Sequence, residues 1–277
     1  TVISLKTFTV ADHYTKSDAD TLLAAKSPIA SPSFTGNVGV NEASPLGNLH
    51  VKSGESGATV DGSANELVVE GSGNSGISIL SGSSSGGQIY FGDSELNYDG
   101  YLAYSHASRN MTLGTAGAGR LNIDSAGIVT KPNQPAFRAG STASVAQSVT
   151  STIVFNTVHA NNFAFNRGNH YSTSTGRFTA PVAGVYCFSS GVLFEGVTNN
   201  TDMSESLYLY RNGVHNAYSI RRAVYVAGTT GNGAYYADYL HSELDLAAGD
   251  YITIISRHAQ TTHGNPKYTF FQGHLIG

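Results

Sequence analysis

The residues best suited to chemistry lie in the last third of the chain, where tyrosines surround two arginines. Aromatic rings beside arginine side chains are typical of surfaces that bind carbohydrate or protein. The alternative is that several of these rings fill a domain core or a subunit interface. The tyrosines near Arg221 and Arg222 are Tyr218, Tyr225, Tyr235, Tyr236 and Tyr239. We predict a receptor-binding surface that includes Arg221, Arg222, Tyr225, Tyr235 and Tyr236.

Two histidines, His258 and His263, are assigned to the same predicted surface. They are separated by the short segment 259–262, so they could approach one another across a tip loop and hold a metal ion. Ordinary loop polarity is the simpler interpretation. In a trimer, one axial histidine could also meet its two symmetry copies around an ion, and the sequence leaves these alternatives open. Our prediction for the chain is no metal and no cofactor.

Three patterns could indicate an enzyme, and each lacks its required context. Asp93, Glu95 and Asp99 could form a carboxylate pair for glycan hydrolysis, but they fit a solvated loop. Ser84, between Gly82 and Gly86, matches the serine of a nucleophile elbow, but the helix that must follow such an elbow is missing from the pattern. The glycines of segment 71–76 match a dinucleotide fingerprint, and again no helix follows. We therefore predict that the chain is not an enzyme.

Composition excludes several further classes of function. The net charge is −4, so a general nucleic-acid surface is not expected. No apolar run approaches the length of a membrane span, which predicts no membrane insertion. The single cysteine, Cys187, rules out an intrachain disulfide, and no zinc cluster is expected to be built from it. Stability must therefore come from packing or from oligomerisation.

The elements that would position these residues fall into three predicted domains. Of the 28 phenylalanines and tyrosines, 20 follow residue 131, so only the last part has the apolar side chains for its own core. We predict a neck over 1–36, a β-rich shaft over 37–131 and a head over 132–277. The neck carries one short helix over 17–26, which would persist if three copies packed together.

The predicted shaft consists of short strands between glycines and serines, at a spacing of about ten residues. Disorder is the alternative interpretation of this composition. One chain cannot bury a core with these strands, whereas three chains wound together would pair their exposed edges. The candidate strands are Glu66–Glu70, Ile77–Leu80, Gln88–Phe91, Gly100–Tyr104, Asn110–Leu113, Arg120–Asp124 and Ile128–Thr130.

The head contains a signature of two strands separated by a proline stop. Segment 177–180 alternates polar and apolar residues, Pro181 interrupts it, and a long apolar strand begins near Gly184. A hairpin is predicted at Asn212-Gly213. Within and around the signature stand Phe155-Asn156, Asn169-His170-Tyr171, Gly176-Arg177-Phe178-Thr179, Pro181, Gly184, Tyr186, Phe188 and Gly273.

This pattern resembles the globular head of complement C1q and its bacterial and phage relatives, which are also similar to tumour necrosis factor. The resemblance covers about residues 135–277 and implies a ten-stranded jelly-roll β-sandwich that forms an intertwined homotrimer. Phe178, Tyr186, Cys187 and Phe188 are then expected to be structural, in the core or the trimer contact. Cys187 is expected to be a small buried hydrophobe.

The preceding half resembles the fibres of tailed phages. Matching pieces are the linker ending at Phe34-Thr35-Gly36, the Leu49-His50-Val51 element, and segments 89–93 and 121–127. The resemblance implies the C-terminal part of a tail fibre, located in the virion at the host surface and joined to upstream fibre or tail proteins. Since the chain opens on Thr1, it is expected to be a piece of a longer protein.

The predicted function is non-covalent binding of a bacterial surface receptor, a glycan or an outer-membrane protein, for host adsorption. One alternative is a secreted bacterial adhesin or complement-like ligand. The other is a depolymerase that cuts capsule or lipopolysaccharide, although that activity needs paired carboxylates on a long β-helix.

Overall fold

The computed structural model describes Thr15, Ser17, Met203 and four longer ranges, which are 34–158, 164–197, 205–218 and 234–277. The predicted helix over 17–26 lies outside the described residues, apart from Ser17. The chain divides into two compact units, Thr1–Leu80 and Ser81–Gly277. This boundary lies inside the predicted shaft, and the three-part division remains a prediction. Within the described residues, no helix is long and apolar enough to cross a membrane.

The first unit contains a small parallel sheet organised around a buried histidine. Strands β1 (Val38–Val40), β2 (Leu49–Lys52) and β3 (Leu67–Glu70) pair in the order β1-β2-β3. His50 is fully buried, with its Nε2 3.0 Å from Glu70 Oε2, and its Nδ1 accepts a hydrogen bond from the Leu46 N–H at 3.3 Å. A buried charge needs such partners, and this contact joins β2 to β3.

The second unit begins with a five-stranded antiparallel meander in the order β4-β5-β6-β7-β8. The turn between β6 and β7 holds Ala116 and Gly117 at φ 51° and 65°, which is the conformation of a tight hairpin turn. The strands are β4 (Gly86–Phe91), β5 (Gly100–Ser105), β6 (Asn110–Thr115), β7 (Ala118–Ile123) and β8 (Val129–Thr130).

These five strands and β3 match six of the seven strands predicted over 37–131, while the shaft itself stays a prediction. The prediction of a strand over Ile77–Leu80 is wrong, because this segment has no regular structure. Leu80 is 92% exposed, and a strand with neither a ladder partner nor a buried side has nothing to stabilise it.

One face of the meander carries two rows of apolar side chains that the other described residues leave open to solvent. Ile89, Leu102, Leu113 and Leu121 stand opposite one another in a single row across β4–β7. A second row on the same face joins Tyr104, Met111, Ile123 and Val129. Phe91 at 66% exposure, Leu113 at 45% and Leu102 at 36% are open to solvent. The opposite face carries polar residues such as Gln88, Thr112 and Asn122. We call the first surface the apolar meander face.

The rest of the unit is a two-layer β-sandwich, in agreement with the predicted jelly-roll class. The larger sheet has the order β10-β20-β15-β21-β9-β12 with β18 also paired to β15; the smaller has the order β13-β14-β19-β16-β17 with β11 paired to β19. The strands are β9 (Ala136–Gly140), β10 (Val145–Ala146), β11 (Ser151–Thr152), β12 (Phe165–Arg167), β13 (Tyr171–Ser172), β14 (Arg177–Thr179), β15 (Gly184–Val197), β16 (Leu207–Arg211), β17 (Val214–Tyr218), β18 (Ala234–Leu246), β19 (Tyr251–Ser256), β20 (Thr261–Thr262) and β21 (Phe270–Leu275).

An aromatic stack fills the space between the two sheets. The ring of Phe137 stacks on Tyr171 at 5.0 Å and on Phe178 at 4.9 Å, and its edge meets Phe271 at 4.9 Å. The Tyr171 hydroxyl donates to the Phe155 carbonyl at 3.2 Å, so the polar end of this buried ring is satisfied. Burial raises the pKa of Tyr171 well above its usual range. Such offset and edge contacts are the preferred aromatic geometries.

Phe178, Tyr186 and Phe188, for which a structural role is expected, are all fully buried in this core. The expectation of a buried Cys187 is wrong for the single chain, where this side chain is half-buried. Successive side chains of a strand point to opposite faces. Because Tyr186 and Phe188 point into the core, Cys187 must lie on the outer face of the larger sheet.

Candidate functional site

Three strands of the larger sheet bring two tyrosines and a histidine together at one end of the sandwich. Tyr235 stands near the start of β18, His263 directly follows β20, and Tyr268 precedes β21. Strand β20 is held between β10 and β15, and the His263 N–H donates to the Leu193 carbonyl at 2.7 Å. The backbone of His263 is therefore fixed to the longest described strand of the head.

The His263 ring lies between the two tyrosine rings, and we call this group the Tyr–His–Tyr cluster. Its ring centroid is 5.8 Å from that of Tyr235 and 6.1 Å from that of Tyr268, and both contacts are edge-on. Tyr235 is 64% exposed and Tyr268 is 54% exposed. Within the described residues, the buried Nδ1 of His263 has no hydrogen-bond partner. The cluster thus presents two open rings around a partly buried imidazole.

The turn that connects His263 to Tyr268 is held by Asn265. The Asn265 carbonyl accepts hydrogen bonds from the N–H groups of Tyr268 at 3.0 Å and Thr269 at 2.9 Å. Its side-chain Oδ1 accepts from the Lys267 N–H at 3.0 Å. Ser144 on the neighbouring loop accepts from the Gly264 N–H at 3.1 Å. A turn tied down at these points loses little conformational entropy when a ligand binds.

The side chains of this cluster are suited to the recognition of a ligand. Tyrosine combines a rigid apolar ring with a hydroxyl that can donate or accept, and it contacts ligands at a low entropic cost. In the acidic loop considered for glycan hydrolysis, the Asp93 side chain holds its own turn. Asp93 Oδ1 accepts from the N–H groups of Leu96 at 2.9 Å and Glu95 at 2.8 Å. These bonds lower the pKa of Asp93, as expected for a turn carboxylate.

The predicted binding residues have different positions in the structure. Tyr235 and His263 are in contact. Tyr236 points the opposite way, stands opposite Phe194 in the ladder and is half-buried against the core, so its role in receptor binding stays a prediction. His258 is half-buried in the turn after β19, where its carbonyl accepts from Ser256 Oγ at 2.8 Å. Arg221, Arg222 and Tyr225 lie outside the described residues.

The sequence analysis did not assign Tyr268 to the binding surface, nor did it identify a second aromatic group. Tyr268 joins the cluster only through the pairing of β15 with β20 and β21, which connects distant segments. A second group lies on the smaller sheet, where Tyr208 stacks on Tyr210 at 6.3 Å and His215 lies 4.7 Å from Tyr208. The alternation Tyr208-Leu209-Tyr210 and the hairpin at Asn212 could have predicted that group.

Comparison with known proteins gives a family match over the sandwich. The family model for the C1q domain matches residues 136–276. No curated protein was found to match the chain.

Solved structures with similarity to this chain include a murine APRIL crystallised at pH 8.5, with 19% identity and a TM-score of 0.38, covering 52% of this chain and 99% of that one. An Eiger TNF from S. frugiperda has 13% identity and a TM-score of 0.39, covering 52% and 94%. The globular domain of zebrafish complement 1qA has 19% identity and a TM-score of 0.37, covering 52% and 98%.

Proposed function

Because the chain belongs to the C1q domain family, whose domains are ligand-binding and form homotrimers, we propose that it is the distal part of a phage tail fibre. In this proposal, three copies form one fibre end that binds a glycan or protein receptor on the bacterial surface. The observation that carries receptor binding is the exposed, turn-anchored Tyr–His–Tyr cluster. The fibre assignment is supported by the phage-like linker and shaft segments that precede the head.

The apolar meander face supports a homotrimer of this chain. Nine apolar side chains on that face are exposed or half-buried in the single chain, namely Ile89, Phe91, Leu102, Tyr104, Met111, Leu113, Leu121, Ile123 and Val129. Full burial of one such aliphatic side chain contributes about 1.5–3 kcal/mol. A soluble surface rarely presents a contiguous apolar patch of this kind unless it is an interaction site. Three copies of the chain would cover it.

Binding in this proposal is non-covalent and depends on several weak contacts acting together. Each Tyr–His–Tyr cluster offers two exposed rings, which is a small contact area. Linking three copies in one fibre makes the second and third binding events intramolecular, and avidity then exceeds the single-site affinity by about 10²–10⁴-fold. The chain acts as a binding protein of the virion, outside the cell, and is coupled to the tail through upstream fibre proteins.

The test is binding of the purified intact chain to cells of a panel of bacterial strains. We expect saturable binding to host strains, and a loss of binding of about tenfold or more in Tyr235→Ala and Tyr268→Ala, since removal of a central aromatic hot-spot contact costs about 2 kcal/mol or more. Tyr98→Ala is the matched control, because Tyr98 is an exposed tyrosine on the meander.

Light scattering of each variant distinguishes a loss of cell binding from a loss of trimer assembly. A trimer should have three times the chain mass of 29.0 kDa. Variants that lose the trimer mass would assign the cluster to a subunit contact, and variants that bind cells as well as the parent would reject it as the binding site. Release of reducing sugar from host polysaccharide would contradict a non-enzymatic role.

A further inference from the structure

The outer face of the larger sheet carries a concentration of metal-binding side chains around Cys187. In one row across the sheet, His274 on β21 stands opposite Cys187 on β15, and Cys187 stands opposite Glu243 on β18. His241 lies two residues before Glu243 on the same face of β18. Side chains that are directly opposite or diagonal on one sheet face are within reach of each other. Thiol, imidazole and carboxylate groups therefore converge at the centre of this sheet.

The potential ligand atoms of this group are nearly as close to one another as the ligand atoms around a bound zinc ion. Cys187 Sγ is 4.0 Å from His241 Nε2, and one ligand atom from each of Cys187, His241 and Glu243 lies within 4.8 Å of the others. Zinc bonds of about 2.3 Å to sulfur and 2.0–2.1 Å to nitrogen place tetrahedral ligands roughly 3.6 Å apart. In the single chain, His241 and Glu243 on β18 are exposed, so their side chains can change rotamer to bring the ligand atoms closer together.

The backbone that carries these ligands is paired without interruption. β15 and β18 pair continuously from Gly184↔Leu246 to Phe194↔Tyr236. Beside the group, Ser189 Oγ accepts a hydrogen bond from Gln272 Nε2 at 2.9 Å, and Gln272 accepts one from Arg138. Ligands on adjacent strands are positioned more precisely than ligands on loops.

We propose that Cys187, His241 and Glu243 form a binding site for a single zinc ion within each chain. Sulfur, imidazole nitrogen and carboxylate oxygen are the three ligand types that zinc takes in proteins. Thiolate and imidazole together favour zinc over magnesium or calcium, which prefer oxygen ligands alone. Zinc binding forms an S–Zn bond at Cys187 and releases the thiol proton to solvent. The site lies outside the Tyr–His–Tyr cluster and goes beyond the proposed receptor binding.

The proposal departs from the sequence-based prediction of no metal. That prediction relied on the single cysteine and on the two loop histidines, His258 and His263. The ligand group found in the described residues contains neither of these histidines. It combines one cysteine with residues more than fifty positions away, which only the pairing of β15 with β18 brings together.

The experiment is a titration of the intact, tag-free chain with Zn²⁺ by calorimetry and with Co²⁺ by absorption spectroscopy. We expect one ion per chain and a thiolate-to-cobalt charge-transfer band in the near ultraviolet, which zinc abolishes by displacement. Cys187→Ser should lose the band. His241→Ala and Glu243→Gln should each weaken binding by at least about tenfold, since even indirect partners of a metal site contribute 10–100-fold.

Asp245→Asn is the matched control, because Asp245 is the next exposed carboxylate on the same face of β18. It should bind zinc like the parent chain. Circular dichroism and light scattering confirm that each variant keeps its fold and assembly. The proposal is overturned by the absence of zinc binding, by a band that survives in Cys187→Ser, or by one ion per three chains, which would mean ligands from different chains.

Discussion

Leu113→Asp should dissociate the trimer without unfolding the single chain. Leu113 stands inside the row formed by Ile89, Leu102 and Leu121, and it is 45% exposed in the single chain. Contact with a partner chain would remove that exposed part from water. At about 1.5–3 kcal/mol for full burial of a leucine, the part that remains to be buried contributes roughly 1 kcal/mol.

The introduced charge adds a larger penalty. An unpaired carboxylate at a buried contact costs about 3–5 kcal/mol, so each contact would weaken by roughly 4 kcal/mol or more. Since about 1.4 kcal/mol corresponds to a factor of ten, the association constant per contact should fall by about three orders of magnitude.

Sedimentation velocity over a range of protein concentrations measures this change. We expect Leu113→Asp to sediment as a single chain of 29.0 kDa at concentrations where the parent is a trimer, with an unchanged circular dichroism spectrum. Gln88→Asp is the matched control, since Gln88 is exposed on the opposite face of the same sheet. A Leu113→Asp protein that remains trimeric at the same concentrations as the parent would refute the role of the apolar meander face.

Two further predictions concern the stability of the head. Gly273→Ala should lower the free energy of unfolding by about 1–3 kcal/mol or more, because its Cβ would lie 2.5 Å from the buried Phe188 ring. Gly277→Ala is the control, since a Cβ at that position meets nothing within 4 Å. Equal thermal midpoints for the two variants would contradict this packing. The pKa of Asp250 lies below its ordinary value of 3.8, because its carboxylate accepts hydrogen bonds from the Asn212 side chain and the Ala247 N–H and pairs with Arg211. A carboxylate with a depressed pKa stabilises the fold above that value and loses its contribution as pH falls through the folded pKa. Asp250→Asn should therefore destabilise the head at neutral pH and reduce its loss of stability in acid, and a denaturant series in which the parent and the variant lose stability equally in acid would be the contrary result.

Local patterns predicted much of the fold because they depend on neighbouring residues. The alternation in segment 177–180 and the stop at Pro181 correctly separate β14 from β15. Asn212-Gly213 forms the predicted hairpin, with φ values of 52° and 78°. The same alternation could have placed Cys187 on the outer face, had its neighbours Tyr186 and Phe188 been assigned to the core first.

The candidate sites were less predictable because they depend on pairing between distant strands. Tyr235, His263 and Tyr268 meet only through the arrangement of β18, β20 and β21 around β15. Cys187 and His241 are 54 residues apart, and no local spacing indicates that they share one face. In segment 77–80, by contrast, the local pattern predicted a strand that is not formed, because its β-favouring residues have no partner strand.

Competition for adsorption tests the proposed function most directly. The purified trimer is mixed with host cells before phage particles that carry this chain are added, and the unadsorbed particles are counted. Receptor binding by the fibre end predicts that adsorption falls in proportion to occupancy of the cells, and that Tyr268→Ala competes at least about tenfold less well. Unchanged adsorption at saturating concentrations of trimeric protein would contradict the assignment of receptor binding to this chain.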